Sequence, residues 1–418
     1  MKNKILIHIC LLAMILVTSS CTPVVDAPTS APTSENTPTQ TLTPYPTPTP
    51  TKTLVPTSTP TPTPAPLPAC IELKNEEITF DEGTIILAEY NYSTLWDLKS
   101  SKRIYLGISG YVAISPDYEK FAYISGNYVI VASADGTWLH KYPAFQSWSG
   151  VIAWLNTDKL LIERSEATYR NPGALSQVIV LDLATGDFDI IHHDEFPDIV
   201  FSTYRGIGPD WLGNLAFLPN SKLSYAVYAK DSDVRSIILW DRVQQKEVVN
   251  LDRFGFGSSP EWNKDGDYFI TSGSVEEENI PYYEWSEDLF LVQTDGVIKN
   301  LTNLAVKYHS IVSGYALSPD ENRVAFWLNF RKSNNWGWRL AILDMETGAL
   351  SNYCTNMGRG YTPHAPFWSP DGNYLLFSSY DSPNYLHTWS VSILDIENRN
   401  SMEISQTAWP DGWLHSVP

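Results

Sequence analysis

The stretch Phe367-Trp368-Ser369-Pro370-Asp371-Gly372-Asn373-Tyr374-Leu375-Leu376-Phe377-Ser378-Ser379 constrains the fold of this 418-residue chain more than any other. Pro370 presets φ for a tight turn, Asp371 can accept nearby main-chain N–H groups, and Gly372 tolerates positive φ. Beyond the turn, Tyr374, Leu376 and Ser378 point to one side and Leu375, Phe377 and Ser379 to the other. Both sets are largely apolar, so the strand is expected to be covered on both faces. The same pattern recurs at 111–124, around Ser115-Pro116-Asp117, at 315–328, around Ser318-Pro319-Asp320, and at 260–272, around Asp265-Gly266. Weaker copies lie at 151–163, 214–228 and 78–90.

Each copy is followed by a second hairpin, an apolar strand that ends near an Asp and a polar turn. The clearest are 177–191 (Asp182 to Gly186) and 339–353 (Asp344 to Gly348); 94–106, 128–142, 237–251, 289–301 and 391–404 complete the set. Taking Asp97, Ser133, Asp182, Asp241, Gln293, Asp344 and Asp395 as equivalent points, the repeat length runs from 36 to 59 residues. A period near 50 means stacked supersecondary units. Two hairpins per unit give four strands, and seven units predict an all-β chain, a seven-bladed β-propeller of four-stranded antiparallel blades, with six or eight blades as alternatives. A two-layer sandwich has no reason to repeat the same two turns in this way. The tail from 405, with Trp409-Pro410-Asp411-Gly412-Trp413-Leu414 echoing the repeat turn, is expected to supply a strand to the first blade and so remove two sheet edges. An incomplete eighth blade is the alternative.

The Trp-Ser-Pro-Asp-Gly turn followed by an aliphatic–aromatic strand resembles the WD-like repeats of TolB-type propellers, and the propeller of prolyl oligopeptidases uses similar repeats. The resemblance spans about residues 71–418. It implies a propeller that serves as a binding platform, with an envelope protein as the partner it most directly suggests. Peptidase chemistry on the prolyl oligopeptidase plan needs a Gly-x-Ser-x-Gly nucleophile elbow. The sequence contains none.

Residues 1–20 carry Lys2 and Lys4 and then an apolar run from Ile5 to Val17. Such a run is too short to span a bilayer and fits the core of a signal peptide. Thr18-Ser19-Ser20-Cys21 resembles a bacterial lipoprotein box, which would make Cys21 the lipid-attachment residue and the chain's membrane contact. An ordinary secretory signal is the alternative. Residues 21–69 read as a disordered tether: 29 of the 48 residues from Thr22 to Ala69 are Thr or Pro, with Tyr45 the lone aromatic, so the segment has little to bury. At ~3.1 Å per residue its reach is on the order of 150 Å. Residues 70–418 form the propeller domain.

The formal net charge is −19, and loss of residues 1–20 with their two lysines makes it −21. An acidic globule of this kind argues against nucleic acid and against adsorption to anionic lipid. It reads as a soluble monomer outside the cytoplasm, on the cell surface or the periplasmic side. Of four cysteines, Cys70 opens the first blade and Cys354 closes the sixth; an extracytoplasmic setting permits a disulfide between them, and two free thiols are the alternative.

No cofactor, metal site or catalytic residue is expected. His192-His193-Asp194-Glu195 places adjacent side chains in opposite directions and reads as a polar loop, while Asp231-Ser232-Asp233 and Asn263-Lys264-Asp265-Gly266-Asp267 lack the twelve-residue calcium pattern. The recognition candidates come from loop length. Long segments between the second and third strands of blades five, six and seven carry Tyr282, Tyr283 and Trp285, then Trp336 and Trp338, then Tyr380 and Tyr385. Aromatic residues on long loops of a rigid scaffold suit a protein surface or sugar rings. The expected function is therefore a non-catalytic protein-binding platform of the bacterial cell envelope. A carbohydrate-binding or solute-capture lipoprotein is the alternative, and a propeller glycoside hydrolase or lyase, which would need two carboxylates across a cleft, comes after it.

Overall fold

The computed structural model describes residues 69–89, 92–106, 112–143, 149–165, 176–191, 216–217, 223–228, 235–240, 245–250, 260–275, 286–330, 337–357, 364–380 and 389–415. The chain divides into two units, 1–61 and 62–418, and every described residue belongs to the second. Among them are 28 strands and one short helix, with the strands in seven four-stranded antiparallel sheets.

Sheet one holds β1 (Thr84–Glu89), β2 (Tyr92–Asp97) and β3 (Arg103–Tyr105). Sheet two is β4 (Val112–Ile114), β5 (Lys120–Ser125), β6 (Tyr128–Ser133) and β7 (Trp138–Pro143). Sheet three is β8 (Ser149–Asn156), β9 (Lys159–Ser165), β10 (Ser176–Asp182) and β11 (Phe188–Ile191). Sheet four is β12 (Ala216–Phe217), β13 (Leu223–Tyr228), β14 (Arg235–Trp240) and β15 (Gln245–Asn250). Sheet five is β16 (Glu261–Trp262), β17 (Tyr268–Val275), β18 (Ser286–Gln293) and β19 (Ile298–Asn300). The helix α1 (Ala305–Tyr308) leads into sheet six: β20 (Ser310–Leu317), β21 (Arg323–Phe330), β22 (Trp338–Asp344) and β23 (Leu350–Met357). Sheet seven is β24 (Phe367–Trp368), β25 (Tyr374–Tyr380), β26 (Trp389–Asp395) and β27 (Asn400–Ser405), and β28 (Trp409–Leu414) ends the series.

Sheets two to seven each run in strict chain order. Sheet one does not: its order is β28-β1-β2-β3, so the last strand of the chain takes the place of a first strand. The expected C-terminal strand is present. The expected first hairpin at 78–90 is corrected, since it yields β1 alone. Ile78 and Phe80 instead pack against Trp413, and Phe80 lies 5.3 Å from the ring of Tyr374 in sheet seven. Nor is Pro410-Asp411-Gly412 a turn. It sits inside β28, where the register slips between Ile86 and Leu87 and forms a bulge.

The repeated turns explain why the hairpins form. In Ser115-Pro-Asp, Ser318-Pro-Asp and Ser369-Pro-Asp the serine hydroxyl donates to the Asp two residues on. It also accepts the N–H of the residue five on, at 2.9 Å in all three. The fourth turn residue must take positive φ, and Gly372 does so at 72°. Tyr118 and Glu321 occupy the same position at 60° and 59°. The second-hairpin turns work differently. The Asp344 carboxylate accepts both the N–H and the hydroxyl of Thr347, which holds it below the usual carboxylate range.

The core lies between sheets, because strands such as β25 and β21 are apolar on both faces. Ala325, Trp327, Leu340 and Ile342 of sheet six pack with Trp368, Leu375 and Phe377 of sheet seven. Leu376, Val391 and Ile393 of sheet seven pack with Ile85 and Leu87 of sheet one and with Trp413. The N-terminal end of the described chain binds the outside of the same two sheets. Cys70 is disulfide-bonded to Cys354 with Cα atoms 5.1 Å apart. Ile71 bridges Tyr353 and Lys74 bridges Asn400, both in parallel. The Asn400 side chain bonds the main chain of Glu76 twice.

Candidate functional site at the inner strands

Two sheet junctions share one contact between first strands. Trp368 in β24 donates its indole N–H to the carbonyl of Ala316 in β20, 3.0 Å away in the preceding sheet. Trp154 in β8 does the same to Ala113 in β4 at 2.9 Å. A cation from the preceding sheet completes each junction. Arg323 donates to Gly372 O at 2.7 Å and its guanidinium lies 4.9 Å from the Trp368 ring. Lys120 donates to Thr157 O at 3.1 Å and sits 5.9 Å from the Trp154 ring.

The junction of sheets five and six departs from this scheme. Leu317 stands where sheet seven has Trp368, and Glu261 where sheets two and six have Ala113 and Ala316. The main-chain N–H of Leu317 points at the Glu261 carboxylate and lowers its pKa, but burial outweighs this and pushes it up to about 7. Glu261 is close enough to Tyr118, in the first turn of sheet two, that its charge adds to burial in raising that phenol. Tyr118 in turn meets the chain's C-terminal side: the His415 N–H donates to Tyr118 O at 2.9 Å, and the two rings meet edge-on at 6.0 Å. Inner residues of sheets one, two and five thus converge, although these sheets are not all neighbours in the chain.

Asp411 is a separate case. It is the extra residue of the β28 bulge, its Oδ2 is buried with no hydrogen-bond partner among the described residues, and burial pushes its pKa up to about 7. Close approach is general along this strand, since a Cβ on Gly412 would fall 2.6 Å from Ile114 of sheet two. Burial thus makes both Glu261 and Asp411 hold a proton more tightly than an ordinary carboxylate and keeps the Tyr118 phenol protonated. Such groups can exchange hydrogen bonds with a polar ligand.

Sequence reasoning passed over Glu261 and Asp411. The signal for Glu261 was available, as a charged residue at a position that carries Ala113, Ala316 and Phe367 in sheets two, six and seven. Of the aromatic candidates, Tyr282, Tyr283, Trp285, Trp336 and Tyr385 lie outside the described residues, as does Cys21. Tyr380 is the last residue of β25, and its side chain is also outside them. Trp338 is corrected. It opens β22 at 8% exposure and packs with Trp327, Leu340 and Tyr353, so it belongs to the core and not to an exposed patch. Glu72 lies beside Cys70 and Cys354 in a cluster of metal-ligand type, but the two sulfurs are bonded to each other and offer no thiolate.

Seven antiparallel sheets succeed one another, two junctions are pinned first strand to first strand, Glu261 of sheet five lies within electrostatic reach of Tyr118 of sheet two, and the last strand completes the first sheet. The fold is a β-propeller. No family model and no curated protein matches the chain. Among solved structures it is similar to an acylaminoacyl peptidase from Pyrococcus horikoshii, with TM-score 0.50 and 14% identity over 78% of this chain and 50% of that one. That likeness is one of fold, and the chain spans about half of the peptidase. TolB from Acinetobacter baumannii aligns with TM-score 0.44 and 16% identity over 77% of this chain and 78% of that one. An oligogalacturonate lyase in complex with manganese aligns at 0.49 and 15%, over 78% and 83%.

Proposed function

We propose that the seven sheets are the blades of a single closed ring, and that the ring is a non-catalytic protein-binding platform held at the bacterial cell envelope by a lipid on Cys21. The observation that carries this reading is the closure itself. β28 completes the sheet of β1, while residues 70–76 are tied to β23 and β27 by a disulfide and main-chain bonds. Both ends of the propeller are thereby fixed to it, and what varies from blade to blade is the connections. Those between second and third strands in the last three blades carry Tyr282, Tyr283, Trp285, Trp336 and Tyr385. A rigid scaffold with variable loops is the arrangement in which binding residues collect. The stretch 21–69 would act as the tether between membrane and ring.

Two measurements test this. Fractionation of cells making the wild type and Cys21→Ser should move the protein from membrane to soluble fractions; unchanged membrane retention would remove the anchor. The purified chain should retain one envelope protein on an array of envelope proteins and glycans with no product released. Binding confined to glycans, or turnover abolished by a single carboxylate substitution, would replace the platform with a carbohydrate-binding protein or an enzyme.

A further inference from the structure

The chain reaches sheet one by way of two other sheets. Residues 70–76 lie along the outer strands of sheets six and seven, and only after them does Thr84 open β1. Four main-chain bonds hold the crossing. Ile71 N donates to Asn352 O at 2.7 Å and Cys354 N to Ile71 O at 2.9 Å. Lys74 N donates to Arg399 O at 3.0 Å and Ser401 N to Lys74 O at 2.9 Å. Ile71 and Leu73 pack on the core between sheets six and seven, and Ile78 and Phe80 on that between sheets seven and one. Sheets seven and one are therefore joined twice. β28 joins them by completing sheet one while Trp413 stacks on Tyr374, and the run 70–83 joins them from the outer strands. The second join is weak in itself, because Glu72, Lys74, Asn75, Glu76 and Glu77 are exposed and water competes for the main chain around them. The bond between Cys70 and Cys354, both half-buried, makes it covalent.

We propose that the Cys70–Cys354 bond is a thiol-sensitive lock on ring closure. While it stands, an opening at β28 stays confined to the seam between sheets seven and one; once it is reduced, the same opening spreads through the ring. The inference rests on the reading of the seven sheets as one ring. With the bond intact, β1 can leave sheet seven no farther than the run from Cys70 to Thr84 allows, so β28 re-forms its pairing between groups already held together. With the bond reduced, only hydrogen bonds and the packing of Ile71 and Leu73 hold that run. The reductant is a dithiol. One of its thiolates attacks a cysteine sulfur, the S–S bond breaks, and its second thiol displaces the first. Two electrons and two protons end on Cys70 and Cys354, and the reductant leaves as a disulfide. Glu72 puts a carboxylate oxygen within 4.8 Å of both sulfurs, which opposes the approach of an anionic attacker and so guards the lock.

The test uses the mature chain, residues 21–418, with Cys21→Ser, which leaves Cys70 and Cys354 as its cysteines. It is compared oxidised and after reduction with dithiothreitol, with and without Gly412→Ala. That substitution weakens β28, since the added Cβ would fall 2.6 Å from Ile114 Cγ1. Unfolding rates in guanidinium are read by tryptophan fluorescence. Reduction should speed unfolding of the otherwise unchanged chain by about tenfold or more. Gly412→Ala should speed the reduced chain by about tenfold or more and the oxidised chain by about threefold or less. If Gly412→Ala does not fold, Trp413→Phe, which trims the ring stacked on Tyr374, takes its place with the same expectation. Equal acceleration of the two redox states would overturn the proposal, because the bond would then add stability without acting on closure. So would a rate that reduction leaves unchanged. Hydrogen exchange of β25 in the same samples separates this from failure of the ring: the ring predicts that weakening β28 lowers protection of β25 in both redox states. No change in either state would overturn ring and lock together.

Discussion

Asp411 keeps one carboxylate oxygen away from both solvent and any hydrogen-bond partner, and this has a consequence for pH. Its pKa rises from 3.8 to about 7 on folding, so the folded protein holds the proton more tightly than the unfolded chain. The resulting stability is complete below about pH 3.8 and is lost as pH rises toward about 7. Asp411→Asn should remove that dependence and leave the variant more stable than wild type at pH 8, by on the order of 4 kcal/mol at about 1.4 kcal/mol per pKa unit. Denaturation midpoints of both proteins at pH 4.5 and 8 check this; a constant difference would contradict it. Glycine 372 offers a second residue-scale comparison. It has φ 72°, and an added Cβ would meet Arg323 Nη2 at 2.9 Å, whereas Gly348 at φ 71° has open space. Gly348→Ala should cost about 1 kcal/mol for the backbone alone, and Gly372→Ala roughly twice that in the same denaturant titration. The turn glycine was legible in the sequence from its Pro-Asp context. The burial of Asp411 was not, because the same Pro-Asp-Gly letters make a turn in one blade and a bulge in β28.

At the scale of the element, hairpins could be read from turn chemistry and alternation, since both are local. How one sheet grips the next could not. Trp154 and Trp368 look like generic strand aromatics until their indole N–H groups are seen to reach the preceding sheet. Trp338 failed as a surface residue for the same reason: its letters adjoin a long loop, while its position at the start of β22 sends it into the core. The grip itself is testable. Arg323→Ala removes a 2.7 Å bond to Gly372 O and a cation over Trp368, so it should cost about 1–3 kcal/mol by chemical denaturation. Arg323→Lys should recover part of this, as Lys120 makes the equivalent contact in sheet two. Equal losses for both would show that the charge and its bond carry little of the junction.

For the whole molecule, repeat counting and the echo of the turn near the C-terminus indicated a ring closed by its own last strand. Neither could show that the other end is fastened too. That required Cys70 and Cys354 to meet across 284 residues of sequence, a geometry no spacing rule supplies. The proposed ring depends on this closure, with β28 as the element whose removal should open it. Trp413 in that strand is 3% exposed and stacks on Tyr374 of sheet seven at 6.0 Å, so the strand joins two sheets as well as completing one. The most direct measurement is amide hydrogen exchange on the mature chain and on the same chain ended at residue 407. Closure by β28 predicts that truncation strips protection from β1 and from β25 and β26 while β20 to β22 exchange much as before. Unchanged protection in β1 and β25 would contradict it and leave the first and last sheets held by something other than the C-terminal strand.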